Sequence, residues 1–127
     1  MRVLIIACNK DLGTIWGRHL NRNGAKVLVA NNQDEAVEIL QQWPIDIIVV
    51  DVVLTDGSAI AIADFASYKQ PNTKVVFVSN STFFSDGSIF QMIPNACAIM
   101  PGDVAPDDLD AVVQHYGQQP RAHQGAA

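Results

Sequence analysis

The sequence contains few residues of several chemically useful kinds, and each shortage excludes a class of function. Of its 127 residues only Cys8 and Cys97 are cysteines, and they are far apart with no CxxC spacing. A zinc or redox site needs closely spaced thiols or a histidine cluster, and the three histidines are scattered, so neither site is expected. We interpret both cysteines as buried free thiols of a protein in a reducing compartment.

Basic residues are also scarce, since eight lysines and arginines stand against thirteen acidic residues, a formal net charge of -5. No basic stripe interleaved with aromatic residues occurs, so phosphate-driven binding of nucleic acid by this chain alone is not expected. No apolar run reaches the roughly 18 to 20 residues that span a bilayer. The apolar run at residues 3–7 is too short for a signal peptide. We therefore expect a cytoplasmic protein without membrane contact.

Apolar runs typical of strands alternate regularly with amphipathic segments typical of helices. Strands are predicted at residues 3–7, 26–30, 75–78 and 96–100. The third strand is predicted within the apolar stretch 45–53, where residues 47–50 lead into Asp51. The first helix is predicted after Asp11 as N-cap, with Leu12, Ile15, Trp16, His19 and Leu20 at helical spacing and a turn at Asn23-Gly24. Further helices are predicted after Asn31 or Asn32 as far as Trp43-Pro44, over residues 59–68, less clearly over 82–93, and from Pro106 to about Tyr116. This alternation predicts an α/β fold, a doubly wound five-stranded parallel sheet with helices on both faces. The domain covers residues 1–117, and a polar tail at 118–127 is expected to be flexible.

Reactive side chains in such sheets collect at the carboxyl ends of the strands. Asp51 directly follows the apolar run at residues 47–50, and Ser79 follows the next strand. A carboxylate at the rim of a hydrophobic sheet needs hydrogen bonds, a cation or solvent to remain ionised. On spacing alone, each residue also has a plain alternative role, because Asp51 could cap a loop and Ser79 could close a turn.

The order and spacing of these segments resemble the response-regulator receiver domain over roughly residues 2 to 116. The resemblance rests on residues 3–7, 23–25, 35–37, 46–57, 75–79 and 96–101. Its most specific part is the third strand with Asp51 and the loop Leu54-Thr55-Asp56-Gly57, where the family usually has proline in place of Thr55. The resemblance implies the flavodoxin-like receiver fold.

The resemblance also assigns roles to single positions. It makes Asp51 the phosphoacceptor position and Ser79 the switch hydroxyl. In the family, the acceptor carboxylate and the incoming phosphoryl group are both anions. A magnesium ion held by an acidic pair, together with a lysine, neutralises their charge. That pair falls here on Ala7 and Cys8, and the lysine falls on Met100. A methyl group and a thiol are poor magnesium ligands, and Met100 brings no charge. The resemblance therefore implies a pseudo-receiver, an atypical variant that holds no metal or other cofactor.

We accordingly expect a non-enzymatic receiver in two-component-type signal transduction that acts through protein contacts. Met100 and Cys8 would pack into the former site and fix one conformation. The partner would be a histidine kinase or a regulatory protein. It would bind the fourth predicted helix, fifth strand and fifth predicted helix, about residues 88–116. The apolar residues of that surface are Phe90, Met92, Ile93 and Tyr116, although each could instead belong to the core. The sequence leaves open whether the chain also pairs with a second copy of itself.

Two other functions stay open. The first is a working phosphoacceptor receiver in a phosphorelay, with Asp51 phosphorylated and magnesium held by makeshift ligands such as Asn9 or Asp56. The second is a small-molecule-binding flavodoxin-like module. A nucleotide site would favour a glycine-rich turn after the first strand, and residues 9–13 contain one glycine. No Ser-His-Asp or Cys-His set can be assembled, which argues against an enzyme.

Overall fold

A computed structural model describes residues 1–7, 10–51, 59–78, 95–101 and 104–117, with Lys10 described by its backbone alone. Several sequence predictions lie outside these residues: Cys8, Ser79, the predicted helix over 82–93, and the tail at 118–127. Within the described ranges, no helix combines the length and the apolar character that crossing a membrane requires.

The described strands form one parallel sheet, as the sequence predicts. They are β1 (Arg2–Ile6), β2 (Lys26–Ala30), β3 (Ile47–Asp51), β4 (Lys74–Val78) and β5 (Ala96–Met100). Their order across the sheet is β2-β1-β3-β4-β5, and every neighbouring pair is parallel. The central strands β1, β3 and β4 are rich in valine and isoleucine because both of their faces are covered. All of their positions are apolar and buried except Arg2, Asp51 and Lys74, which are half-buried at strand ends.

Helices cover both faces of the sheet. They are α1 (Lys10–Arg22), α2 (Gln33–Gln42), α3 (Ala59–Lys69) and α4 (Pro106–Gly117), of which α4 is the fifth helix of the sequence prediction. Trp16 of α1 and Leu109 of α4 are buried in a cluster on one face, which we call the α1–α4 face. Leu40 of α2 and Ile62 of α3 are buried in a second cluster on the opposite α2–α3 face. The doubly wound arrangement is therefore confirmed.

The ends of α2 follow from local chemistry that the sequence shows. Asn32 is the N-cap, and its side-chain oxygen accepts a hydrogen bond from the Glu35 amide at 2.9 Å. The Glu35 carboxylate in turn accepts from the Asn31 amide at 2.9 Å, a reciprocal pattern related to the capping box. At the other end the Trp43 amide donates to the Ile39 carbonyl at 2.9 Å, and Pro44 prevents continuation.

Two predictions for α1 are wrong. The helix begins at Lys10, so Asp11 lies in its first turn and is not the N-cap, although a carboxylate there still favours the positive end of the helix dipole. Ile15, predicted on the apolar pattern of this helix, is 50% exposed because the face against the sheet is formed by other residues. The predicted turn after α1 is confirmed, since Gly24 has φ of 99°.

Candidate functional site at the carboxyl edge of the sheet

The strand register places Asp51 in a row of residues at the carboxyl edge. Asp51 is the partner of Val78 in β4, and Val78 is the partner of Met100 in β5. Ile6 is the partner of Val50, so Ala7, the next residue, lies level with Asp51. Register partners on neighbouring parallel strands, about 4.8 Å apart, point to the same face. The structure therefore brings together Ala7, Asp51 and Met100, which the sequence places far apart.

The residues beside Asp51 in this row are apolar and packed. Ala7 is fully buried in the cluster of the α1–α4 face, and Val78 is buried in the same cluster. Met100 is half-buried and packs against that cluster too. Asp51 itself is half-buried. The carboxyl group of Asp51 consequently lies at the rim of the sheet. The methyl group of Ala7, directly after β1, is level with it, and the thioether of Met100 ends the same row on β5.

Asn31 extends this row to the edge strand, a position that the sequence suggested only as a helix cap. Ala30 is the partner of Ile6, so Asn31 lies level with Ala7. Its side-chain amide donates to the Ala7 carbonyl at 3.2 Å, and the Ala7 amide donates to the Ala30 carbonyl at 3.1 Å. These two bonds fix the backbone as it leaves β1. A polar residue directly after a predicted strand was the signal that could have identified this position.

The described residues do not fit a magnesium ion. Magnesium prefers hard oxygen ligands in near-octahedral geometry, and Ala7 and Met100 supply neither a carboxylate nor a carbonyl side chain. Across the described ranges, no group of three or more histidine, cysteine, aspartate or glutamate residues could hold a metal ion. The side chains that surround Asp51 in the row therefore provide no cation-binding set.

Many charged residues are divided by sign between the two edges of the sheet, although Lys10 begins α1 near the carboxyl edge and Asp46 precedes β3 at the amino edge. Each helix starts near the carboxyl edge, because it follows the end of a strand, and ends near the amino edge. Carboxylates lie in the first turns of three helices: Asp11, Asp34, Glu35, Asp107 and Asp108. Lysines and arginines begin strands or end helices at the opposite edge: Arg2, Arg22, Lys26, Lys69 and Lys74. Asp51 therefore shares its edge with other acidic groups.

Cys97 in β5 is a half-buried free thiol on the α1–α4 face. Burial raises the pKa of this thiol to about 11, and the nearby charge of Lys74 opposes the rise only in part. The thiol is therefore protonated and poorly nucleophilic near neutral pH. This supports the interpretation of Cys97 as a structural residue.

Comparisons with solved structures find the same fold. A receiver domain of a response regulator from Methanospirillum hungatei is 20% identical with a TM-score of 0.83, covering 91% of this chain and 92% of that one. The non-phosphorylated HemR receiver domain from Leptospira biflexa is 18% identical with a TM-score of 0.84, covering 94% and 96%. The response regulator TrrA from Thermotoga maritima, in complex with Mg²⁺ and BeF, is 16% identical with a TM-score of 0.78, covering 91% and 97%.

The sequence matches no protein-family model and no curated protein sequence. The structural likeness, at low sequence identity over nearly the whole chain, defines the fold. This chain has the response-regulator receiver fold, with the strand order and the strand-end aspartate described above.

Proposed function

We propose that the chain is an atypical receiver domain in two-component-type signalling that acts through protein contacts, with weak or no magnesium-dependent phosphorylation of Asp51. The observation that carries this proposal is the row at the carboxyl edge. Asp51 is retained there, but Ala7 is level with it and Met100 closes β5. An acceptor carboxylate is therefore present without the charged groups that phosphoryl transfer needs.

The rate of phosphoryl transfer to Asp51 depends on how well negative charge is compensated there. Phosphoryl transfer to Asp51 brings two anions together, and its transition state is stabilised by metal ions and ammonium groups. Compared with the family pattern, Ala7, Cys8 and Met100 replace two carboxylates and one lysine. If each group contributes about 2 kcal/mol to the transition state, their combined loss slows the reaction by roughly four orders of magnitude. The carboxylates in the first turns of α1, α2 and α4, at the same edge as Asp51, add no positive charge that could compensate for this loss.

Packing explains how the unmodified protein would hold one conformation. Clustered carboxylates repel one another when no metal is bound, whereas Ala7 and Met100 pack into the α1–α4 cluster. The resting state is then stabilised by apolar contacts and does not depend on a phosphoryl group. A histidine kinase or a regulatory protein would set the output by binding, through a surface that includes β5 and α4.

Tyr116 belongs to that predicted contact surface and is half-buried. It packs against the α1–α4 cluster, and its ring meets the His115 ring edge-on with centroids 4.8 Å apart. The part of Tyr116 that stays accessible, with the exposed His115, supports a contact role for the end of α4. The other three apolar residues of the predicted surface lie outside the described residues.

Intact-mass measurement tests this proposal directly. The protein is incubated with magnesium and acetyl phosphate, and we expect no adduct of one phosphoryl group. An adduct that disappears in Asp51→Asn would instead support the working phosphoacceptor receiver. A parallel thermal-shift series with nucleotides and flavins tests the small-molecule alternative, and we expect no clear rise in the melting temperature.

A further inference from the structure

A second feature of the molecule lies at the amino edge of the sheet, at the opposite end from Asp51. Trp43, just after α2, is 47% exposed. The Arg2 guanidinium lies over its ring, 5.2 Å from the centroid, and donates to the Pro44 carbonyl at 3.0 Å. The Arg2 amide also donates to the Asp46 carboxylate at 2.7 Å. The exposed indole is therefore held to β1 on one side.

Gln70, just after α3, holds the same turn from the other side. Its side-chain amide donates to the Trp43 carbonyl at 2.7 Å and to the Leu40 carbonyl at 2.8 Å, while its oxygen accepts from the Ile45 amide at 2.7 Å. Thr73 adds a hydrogen bond from its buried hydroxyl to the Ile45 carbonyl at 2.5 Å. Because this turn is fixed before any partner arrives, binding to it loses little conformational entropy.

The turn separates two shallow clefts, and both contain cations. The cleft of about 340 Å³ on one side is lined by Arg2, Lys26, Pro44 and Asp46. The cleft of about 270 Å³ on the other side is lined by Trp43, Pro44, Lys69 and Gln70 with the end of α2. We call Arg2, Lys26, Trp43, Pro44 and Lys69 the amino-edge patch. It presents three positive charges around an exposed aromatic ring, and the one carboxylate among its lining residues accepts a hydrogen bond from the Arg2 amide.

This patch is basic on a chain whose formal net charge is -5. Arginine and tryptophan are also the residue types enriched where protein interfaces derive most of their binding energy. We propose that the amino-edge patch binds an acidic protein segment, with an apolar side chain of that segment packed against Trp43. A nucleic acid fits less well, because its binding depends on many phosphate contacts and three cations beside Asp46 supply few of them.

The proposal is tested with a synthetic peptide of alternating glutamate and leucine residues, titrated into the whole chain and followed by ¹H–¹⁵N NMR. We expect the indole N–H signal of Trp43 to shift, and we expect the affinity to fall as salt is added. A peptide with lysine in place of glutamate is expected not to bind. Absence of any binding at low salt would overturn the proposal, as would tighter binding of a single-stranded oligonucleotide than of the acidic peptide.

A matched pair of charge reversals separates the patch from the net charge of the chain. Lys69→Glu, inside the patch, is expected to weaken peptide binding about tenfold, a loss of the size measured for one well-placed interfacial charge. Arg18→Glu, on the exposed face of α1, changes the net charge equally and is expected to keep the affinity within about twofold. Equal weakening by both variants would show general electrostatic attraction and would overturn the site. Circular dichroism confirms that both variants are folded.

Discussion

Ala7, directly after β1, lies level with Asp51 at the end of the neighbouring strand β3, and Ala7 is fully buried. The methyl group thus occupies a position from which a carboxylate could share a cation with Asp51. The side-chain amide of Asn31, directly after the edge strand β2, donates a hydrogen bond to the Ala7 carbonyl at 3.2 Å. A strand-end carboxylate is therefore present, while the side chain of Ala7 level with it is apolar.

Restoring the acidic pair is predicted to create a response to magnesium. In Ala7→Asp/Cys8→Asp, new carboxylates would repel Asp51, so we expect a lower melting temperature than in the wild type when no metal is present. Added magnesium should raise the melting temperature of the variant and leave that of the wild type unchanged. Calcium, with its larger radius, serves as the comparison ion. A magnesium-dependent rise of equal size in the wild type would contradict this prediction.

Cys97 is predicted to react slowly with thiol reagents. Its pKa is raised from 9.0 to about 11, so near neutral pH its thiolate fraction is about 100-fold below that of an unperturbed thiol. In a Cys8→Ser background, alkylation by iodoacetamide should be slow in the folded protein and rapid in urea. Equal rates in the two states would show that burial does not suppress the thiolate.

The same shift predicts a dependence of stability on pH. The folded protein holds the Cys97 proton more tightly than the unfolded chain does. The stability that comes from this difference in pKa is therefore complete below pH 9. That contribution should fall as the pH rises from 9 towards 11, because the unfolded thiol ionises first. Urea denaturation across this range, compared with Cys97→Ala, measures the effect. The variant should lose less stability over the same interval.

Gln70 is predicted to be the most important polar side chain at the amino edge. Gln70→Ala removes hydrogen bonds to Leu40, Trp43 and Ile45, and leaves the partly buried Leu40 carbonyl and Ile45 amide without those partners. We expect the free energy of unfolding to fall by about 2 to 3 kcal/mol. Gln41→Ala, at an exposed position of α2, should change it by less than about 0.5 kcal/mol. Similar losses in the two variants would exclude a special role for Gln70.

The sequence predicts the sheet well because parallel strands that are buried on both faces consist of consecutive apolar residues. The predicted limits of β2 and β5 coincide with the observed ones, and Asp51 ends β3 as expected. Helix faces are less certain from the pattern alone. Ile15 fits an apolar repeat but is half-exposed, because Gly13, Trp16, Gly17 and Leu20 form the surface of α1 against the sheet.

Relationships between distant residues were harder to predict. The strand register, and not the spacing along the chain, makes Ala7 level with Asp51 and extends the row to Asn31. The amino-edge patch was missed for the same reason. Trp43 appeared only as the end of a helix, and its charged neighbours Arg2 and Lys69 come from segments that the strand order alone brings together.

The most direct test of the central claim compares the wild type with Ala7→Asp/Cys8→Asp/Met100→Lys. Both proteins are incubated with magnesium and acetyl phosphate and weighed intact at intervals, after circular dichroism has shown that both are folded. If the missing charges are the reason that phosphorylation is weak, the variant should gain one phosphoryl group and the wild type should stay unmodified. A wild type that gains the phosphoryl group on Asp51 as fast as the variant would contradict the account.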